Sequence, residues 1–309
     1  MSFSHPPDRI SVGLIGCGRW GGLILTELVA LGAPVTVCDP DADRRQWAVA
    51  NGAVAVSERF DTLGQNDGLI VATPASTHWS LLEQIADLGK PIFIEKPLTT
   101  SYADAQAIEQ LRLPPTFVMH IWRYHAGIRL LGKLARTGAV GEVLQLKTTR
   151  TNWTSPRLDT DSLWTLAPHD LTIAQEILGH IPKPKAAAAE WHGRQIRTMI
   201  AMLGDRPQLI FEISTRYVDK RREVRLHGTE GVAVLSSETA DYVELWRGND
   251  QTPPDAIQYE RLYFDATPPL RLELAAFLDY LKGGPAPVSD LAEGIEVVRI
   301  LEELRALAN

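Results

Sequence analysis

At 309 residues, 45% hydrophobic and 22% charged, the chain has the composition of a globular protein long enough for about two domains. A net charge of -7, with lysines and arginines dispersed along the chain, argues against a nucleic-acid partner. No export signal and no uncharged run long enough to span a bilayer is visible, which points to the cytoplasm and away from a membrane. Only two cysteines, Cys17 and Cys38, are present, too few for a disulfide framework and not spaced for zinc, so no metal site is expected.

Residues 10–15 are an apolar run that reads as a strand and passes straight into Gly16-Cys17-Gly18-Arg19-Trp20-Gly21. A helix follows, with apolar residues at Leu23, Leu28 and Leu31, and then a second strand over 34–38 that closes on Asp39. A glycine triplet after a strand, opening a helix, with an acid about 20 residues further on, is the dinucleotide fingerprint. Gly16 permits the tight turn, Gly18 lets backbone approach a pyrophosphate, Gly21 lets helix and strand pack closely, and the helix N-terminus offers unpaired N–H groups to phosphate. Asp39 is placed to accept from the adenosine ribose hydroxyls and to repel a 2'-phosphate, which favours NAD over NADP. Arg44 and Arg45, on a helix capped by Asp41, keep NADP open.

The alternation continues with a weak strand at 53–56, a strand at 68–72 ending on Thr73-Pro74, a helix over 76–88 stopped by Gly89, and a short apolar run at 92–94. That run ends in Glu95-Lys96-Pro97. Lys96 reads either as a solvated loop lysine neutralised by Glu95, or as an amine delivered to the carboxyl edge of a sheet, where open α/β folds bind ligands. Strands joined by helices require a parallel, doubly wound sheet. Thr73, Pro74, His78, Glu95 and Lys96 are then expected to share a crevice with the glycine loop and its Arg19 and Trp20. A helix at 101–111 and a strand at 116–121 complete this Rossmann domain, residues 1–120.

From 121 to 309 the pattern changes. A helix at 128–136 precedes long stretches of period-two alternation: Leu144, Leu146 and Thr148; Leu209, Phe211, Ile213, Thr215 and Tyr217; then 224–226, 232–234, 242–246 and 259–264. Residues 186–189 are helical by propensity, but Pro182 and Pro184 favour an extended segment. With helices at 163–178, 270–281 and 291–307, this is an α+β domain built on a mostly antiparallel open sheet, one face covered and the other suited to pairing subunits in a homodimer or homotetramer. The run Leu163-Trp164-Thr165-Leu166-Ala167-Pro168-His169-Asp170 puts His169 just inside a helix, after a proline suited to a first turn, with Asp170 a favourable charge near the helix start.

Together these stretches resemble the Gfo/Idh/MocA oxidoreductases over nearly the whole chain: a dinucleotide-binding domain followed by an open-sheet substrate domain. The glycine loop, Asp39, Thr73-Pro74 with His78, and Glu95-Lys96-Pro97 match the first domain in order and spacing. The segments 120–125, 138–141 and 163–170 match the second. More narrowly, Gly-Arg-Trp-Gly and Ala-Pro-His-Asp look like the branch that oxidises the 3-hydroxyl of UDP-linked N-acetylated sugars or sugar acids. The resemblance implies an NAD-dependent sugar dehydrogenase in which Lys96 and His169 flank the reacting carbon. Arg123, Tyr124, Arg150, Asn152, Arg157 and Thr165 are further candidates for the substrate. Many members carry an aspartate four residues before the histidine, and this chain has Thr165, which cannot act as a carboxylate base. Two alternatives stay open: a dehydrogenase or reductase of a free sugar or inositol-like polyol, and an NAD-binding regulatory protein without turnover.

Overall fold

Short apolar runs bounded by glycine, proline and aspartate become the strands of a parallel sheet. The structure is a computed structural model describing residues 9–153 and 160–309. Its first part runs β1 (Val12–Ile15), α1 (Arg19–Ala30), β2 (Val35–Cys38), α2 (Ala42–Ala50), β3 (Ala55–Ser57), β4 (Gly68–Val71), α3 (His78–Ile85), β5 (Ile92–Glu95), α4 (Tyr102–Gln110) and β6 (Thr116–Met119). β1, β4 and β5 are buried along their whole lengths, as strands covered on both faces must be. The sheet order is β3-β2-β1-β4-β5-β6, all parallel, so the chain reverses its direction of travel between β1 and β4. The carboxyl ends of those two strands form the topological switch point of a doubly wound sheet.

The second part runs α5 (Ala126–Arg136), β7 (Val143–Trp153), α6 (Ser162–Leu178), β8 (Pro184–His192), β9 (Gln195–Leu203), β10 (Gln208–Ser214), β11 (Arg216–Gly228), β12 (Gly231–Leu235), β13 (Tyr242–Arg247), β14 (Gln258–Tyr263), α7 (Pro269–Leu281) and α8 (Leu291–Leu307). Its sheet has the order β14-β13-β12-β11-β7-β10-β9-β8 and is antiparallel except where β7 and β10 pair. Met199, Ala201, Leu203, Leu209, Phe211 and Ile213 point to the buried side, while Ile200 and Met202 are exposed on the other.

Three local details depart from the periodicity. β9 was not anticipated, because Arg197 and Thr198 interrupt its alternation before the buried series Met199, Ala201, Leu203 begins. The face shared by Leu209, Phe211 and Ile213 does not extend to Thr215 and Tyr217: β10 ends at Ser214, and Tyr217 belongs to β11, where it is exposed. Pro168 does not open α6. That helix starts at Ser162, capped by Asp161 through the Leu163 and Trp164 amides, so His169 and Asp170 lie in its interior. Burial of Leu163, Trp164, Leu166 and Ala167 outweighs the hydrogen bond that an internal proline forfeits.

The chain divides into two compact units, one comprising the residues through His120 with Leu270–Val298, the other Ile121–Pro269 with Arg299–Asn309. Residues 121–309 are expected from sequence to form one domain, whereas 270–298 groups with the parallel sheet. The reason is an apolar match: Phe277 of α7 lies 5.0 Å from Phe93 of β5, centroid to centroid, and Tyr280 lies 5.0 Å from Phe117 of β6. A Cβ on Gly68 would come within 2.7 Å of the Leu281 side chain and 3.0 Å of the Phe277 ring, so side chains of α7 pack directly on the β4 backbone. Phe277→Ala is expected to lower the unfolding free energy by about 3–5 kcal/mol in urea titrations. A loss below about 1 kcal/mol would show that α7 is not part of this core.

Candidate functional site

The glycine loop owes its shape to steric limits. Gly16 has φ +90°, and a Cβ there would lie 2.8 Å from the Ala72 carbonyl oxygen; a Cβ on Gly21 would lie 2.1 Å from the Gly16 carbonyl oxygen. Gly18 differs: a Cβ there would meet only the Arg44 guanidinium, at 3.7 Å. The turn is therefore crowded on its protein side and open at Gly18, the residue before α1, whose first amides receive no side-chain cap. Such an opening fits a dinucleotide pyrophosphate.

Asp39 follows β2 and is 1% exposed. Its Oδ2 accepts from the Cys17 amide at 2.7 Å and its Oδ1 from the Asp41 amide at 2.9 Å, so it braces the loop it faces. Each oxygen retains a lone pair for a ribose hydroxyl. Arg44 lies 3.7 Å from Oδ2, and Arg45 donates to the Asp39 and Pro40 carbonyls at 2.7 and 2.9 Å. Both arginines are thus engaged around Asp39, beyond their place on a solvated helix. Cys17 and Cys38 are buried free thiols; burial and the Asp39 charge raise both, Cys38 to about 11.

Glu95, the last residue of β5, accepts from the Trp20 indole N–H and from the Lys96 amide, the latter at 3.0 Å. It therefore ties the first turn of α1 to the backbone that presents Lys96, which is half-buried at the carboxyl end of the strand. Thr73 borders the Gly16 turn, its Cγ2 3.0 Å from where a Gly16 Cβ would stand, with exposed Pro74 beside it. His78, fully buried, faces the Leu98 carbonyl with Nδ1 and the Thr73 carbonyl with Nε2, each at 3.0 Å. The ring is a strut between two loops, with neither nitrogen left for a ligand.

In the second unit the short helical turn after β6 sets Trp122 among three chemically active neighbours. Its ring stacks on His125 at 5.2 Å, lies 6.4 Å from His169, and carries the Arg150 guanidinium over its face at 4.3 Å. Arg150 donates to Asp170 Oδ2 at 3.1 Å, both side chains being nearly inaccessible, while Asp170 Oδ1 finds no partner among the described residues. Arg222 donates to Asn152 Oδ1 at 3.1 Å and to the Thr151 carbonyl, and burial plus the Arg150 charge lower its pKa. Thr165, one helical turn before His169, shares a hydrogen bond with Thr160 at 3.2 Å. Arg123 pairs with Glu176 at 3.2 Å, and buried Tyr124 lies under Arg129. Arg123 and Tyr124 are thereby committed to packing around α5 and α6. Arg157 lies outside the described residues.

Trp122 and Arg222 were not singled out from sequence. An aromatic directly after a strand end is a signal for the first, whereas Arg222 sits in a basic run, Lys220-Arg221-Arg222, that reads as a solvated strand. Among the described residues, no helix is long and apolar enough to cross a membrane, and no group of three or more His, Cys, Asp or Glu is arranged to hold a metal ion.

Residues 10–112 match the GFO_IDH_MocA family, described as an oxidoreductase family with an NAD-binding Rossmann fold. The matched segment runs from β1 to α4. The chain is similar to an inositol 2-dehydrogenase of Arthrobacter sp. (strain FB24), 33% identical over 48% of this chain and 48% of that one. It is also similar to a UDP-N-acetylglucosamine 3-dehydrogenase of Acidithiobacillus ferrooxidans, 29% identical over 56% of each. The chain spans about half the length of the curated relatives it matches. The solved structure of levoglucosan dehydrogenase in complex with NADH shares the fold across 97% of both chains, with a TM-score of 0.84 at 18% identity.

Burial holds the His78 imidazole below its ordinary pKa. A depressed folded-state value gives stability that is present above the unfolded value, about 6.5, and is lost as pH falls below it. His125 and His227 are shifted the same way. The melting temperature is expected to drop between about pH 7.5 and 5.5, with a shallower slope in His78→Gln. Parallel slopes in the two proteins would remove His78 from this linkage.

Proposed function

We propose that this chain is an NAD-dependent oxidoreductase that transfers a hydride between a secondary alcohol of a sugar, nucleotide-linked rather than free, and nicotinamide. The observation that carries the reading is the conjunction, within the first unit, of an unobstructed Gly18 turn, a buried Asp39 braced at the end of β2, and Lys96 presented at the end of β5. The glycine loop and Asp39 would hold the dinucleotide, which supplies the hydride acceptor when bound. Lys96 hydrogen-bonds the carbinol oxygen and stabilises the negative charge that grows on it. His169 takes the hydroxyl proton during oxidation and returns it during reduction, the imidazole being the side chain that ordinarily titrates near neutrality. The sugar specificity is supported by the names of the relatives, whose substrates include a sugar nucleotide and inositol. The exposed face of the second sheet, with Ile200 and Met202, suits a homodimer or homotetramer.

A screen of NAD reduction across UDP-N-acetyl sugars, free sugars and polyols tests the substrate class, and turnover confined to free polyols would overturn the sugar-nucleotide preference. Lys96→Ala and His169→Ala are each expected to lower turnover by about 100- to 10,000-fold while NAD affinity, read by calorimetry, stays nearly constant. Normal rates in both would remove the proposed chemistry. Asp39→Ala is expected to weaken NAD binding and narrow its advantage over NADP; unchanged selectivity would count against the ribose role. Tight NAD binding by the wild type with no turnover on any substrate would leave the regulatory reading, which Thr165 favours because its hydroxyl brings no charge to His169.

A further inference from the structure

One carboxyl group has no role in the chemistry above and no partner to explain its burial. Glu273, in the first turns of α7, is 1% exposed, and neither of its oxygens finds a hydrogen bond among the described residues. An unpaired carboxylate in that position is severely penalised, so the group persists only as the neutral acid. Desolvation raises its pKa well above the ordinary value, and the charge of Glu95 adds to the shift.

The packing shows why these two carboxyls are neighbours. Phe93 and Glu95 are two residues apart on β5 and so lie on one face of the strand; Glu273 and Phe277 are four apart on α7 and lie on one face of the helix. The Phe93–Phe277 contact at 5.0 Å sets the register, and one step along both elements puts Glu273 opposite Glu95. Arg271, two residues before Glu273 on α7, donates to Glu27 of α1 at 2.9 Å. Two N–H groups, from the Trp20 indole and the Lys96 backbone, converge on Glu95, and none reaches Glu273. Donors favour the charged form and their absence favours the neutral one, which inclines Glu273 toward the neutral acid.

We propose that Glu273 is a positioning residue, a neutral acid that holds Glu95 in the conformation joining the Trp20 indole to the Lys96 amide. As the neutral acid Glu273 gains a hydroxyl donor, and Glu95, whose charge acts on it, is the acceptor that donor would take. Through Glu95 it acts on both the first turn of α1 and the backbone carrying Lys96. The link to catalysis rests on the oxidoreductase reading; the link to Trp20 does not.

The test uses the full chain and two variants, Glu273→Gln, which keeps a neutral donor, and Glu273→Leu, which removes it without burying a polar atom. Infrared difference spectra of wild type against Glu273→Gln are expected to show the carbonyl stretch of a protonated carboxylic acid at neutral pH. The Trp20 indole N–H resonance, assigned with Trp20→Phe, is expected to keep its position and exchange protection in Glu273→Gln and lose both in Glu273→Leu. In wild type it should move as pH rises far enough to ionise Glu273, and in Glu273→Gln it should not. Absence of the acid band, or a Trp20 resonance unaltered in Glu273→Leu, would overturn the proposal. If hydride transfer is the reaction, Glu273→Leu lowers kcat by about 10- to 100-fold, the loss expected for a hydrogen bond to a charged group, and Glu273→Gln does not. Wild type with the acid band and the Trp20 response but no turnover would sink the functional reading and leave the positioning role standing.

Discussion

The architecture of the first unit rests on a backbone crossing that leaves no room for a methylene. At Gly21 the helix passes so close to the Gly16 carbonyl that a Cβ would sit 2.1 Å from its oxygen, and at Gly16 the turn presses against the Ala72 carbonyl of the strand next door. These contacts weld β1, α1 and the end of β4 into one corner at the switch point of the sheet. Asp39 reinforces that corner from β2 through the Cys17 amide, and Glu95 reinforces it from β5 through the Trp20 indole. Four successive parallel strands thereby converge on one loop, and the open side of that loop, at Gly18, is the side left for a ligand.

The second unit is organised around an aromatic ring instead of a backbone crossing. Trp122 collects His125, Arg150 and His169, and Arg150 in turn pairs with Asp170, the residue after His169 on α6. A buried Arg–Asp pair is a weak source of net stability, but removal of either partner leaves an uncompensated charge. Its structural effect is to fix α6 against β7, and with it the face of α6 on which Thr165 and His169 stand one turn apart. Pro168 is tolerated within this helix because the helix is held from outside by packing and by the Asp161 cap, which also accepts from the Ile196 amide and pairs with Arg305.

How far these features can be read from sequence depends on how local their causes are. The parallel sheet was legible because its strands are short, continuous and punctuated, and because the Gly16 to Asp39 interval carries a fixed geometry. The antiparallel sheet was legible wherever alternation is clean, as in β10 and β13, and illegible at β9, where polar residues interrupt the period. The helix at 163–178 was legible to within one residue of its start, whereas Pro168 reads as a first-turn residue because a proline is a strong local signal and tertiary burial has no local signature. The partners of the chemically active groups were the least accessible. Arg150 and Asp170 are 20 residues apart, and Glu95 and Glu273 come from distant elements whose proximity only the packing of α7 on β5 establishes.

The two cysteines beside the cofactor corner carry a practical consequence. Both thiols are shielded, and both are held above their ordinary pKa by burial and by the Asp39 charge, so neither supplies much thiolate to an alkylating reagent in the native state. With no other cysteine in the sequence, iodoacetamide uptake counts openings of the switch-point corner itself, and the mass added per chain becomes a clock for how often that corner comes apart.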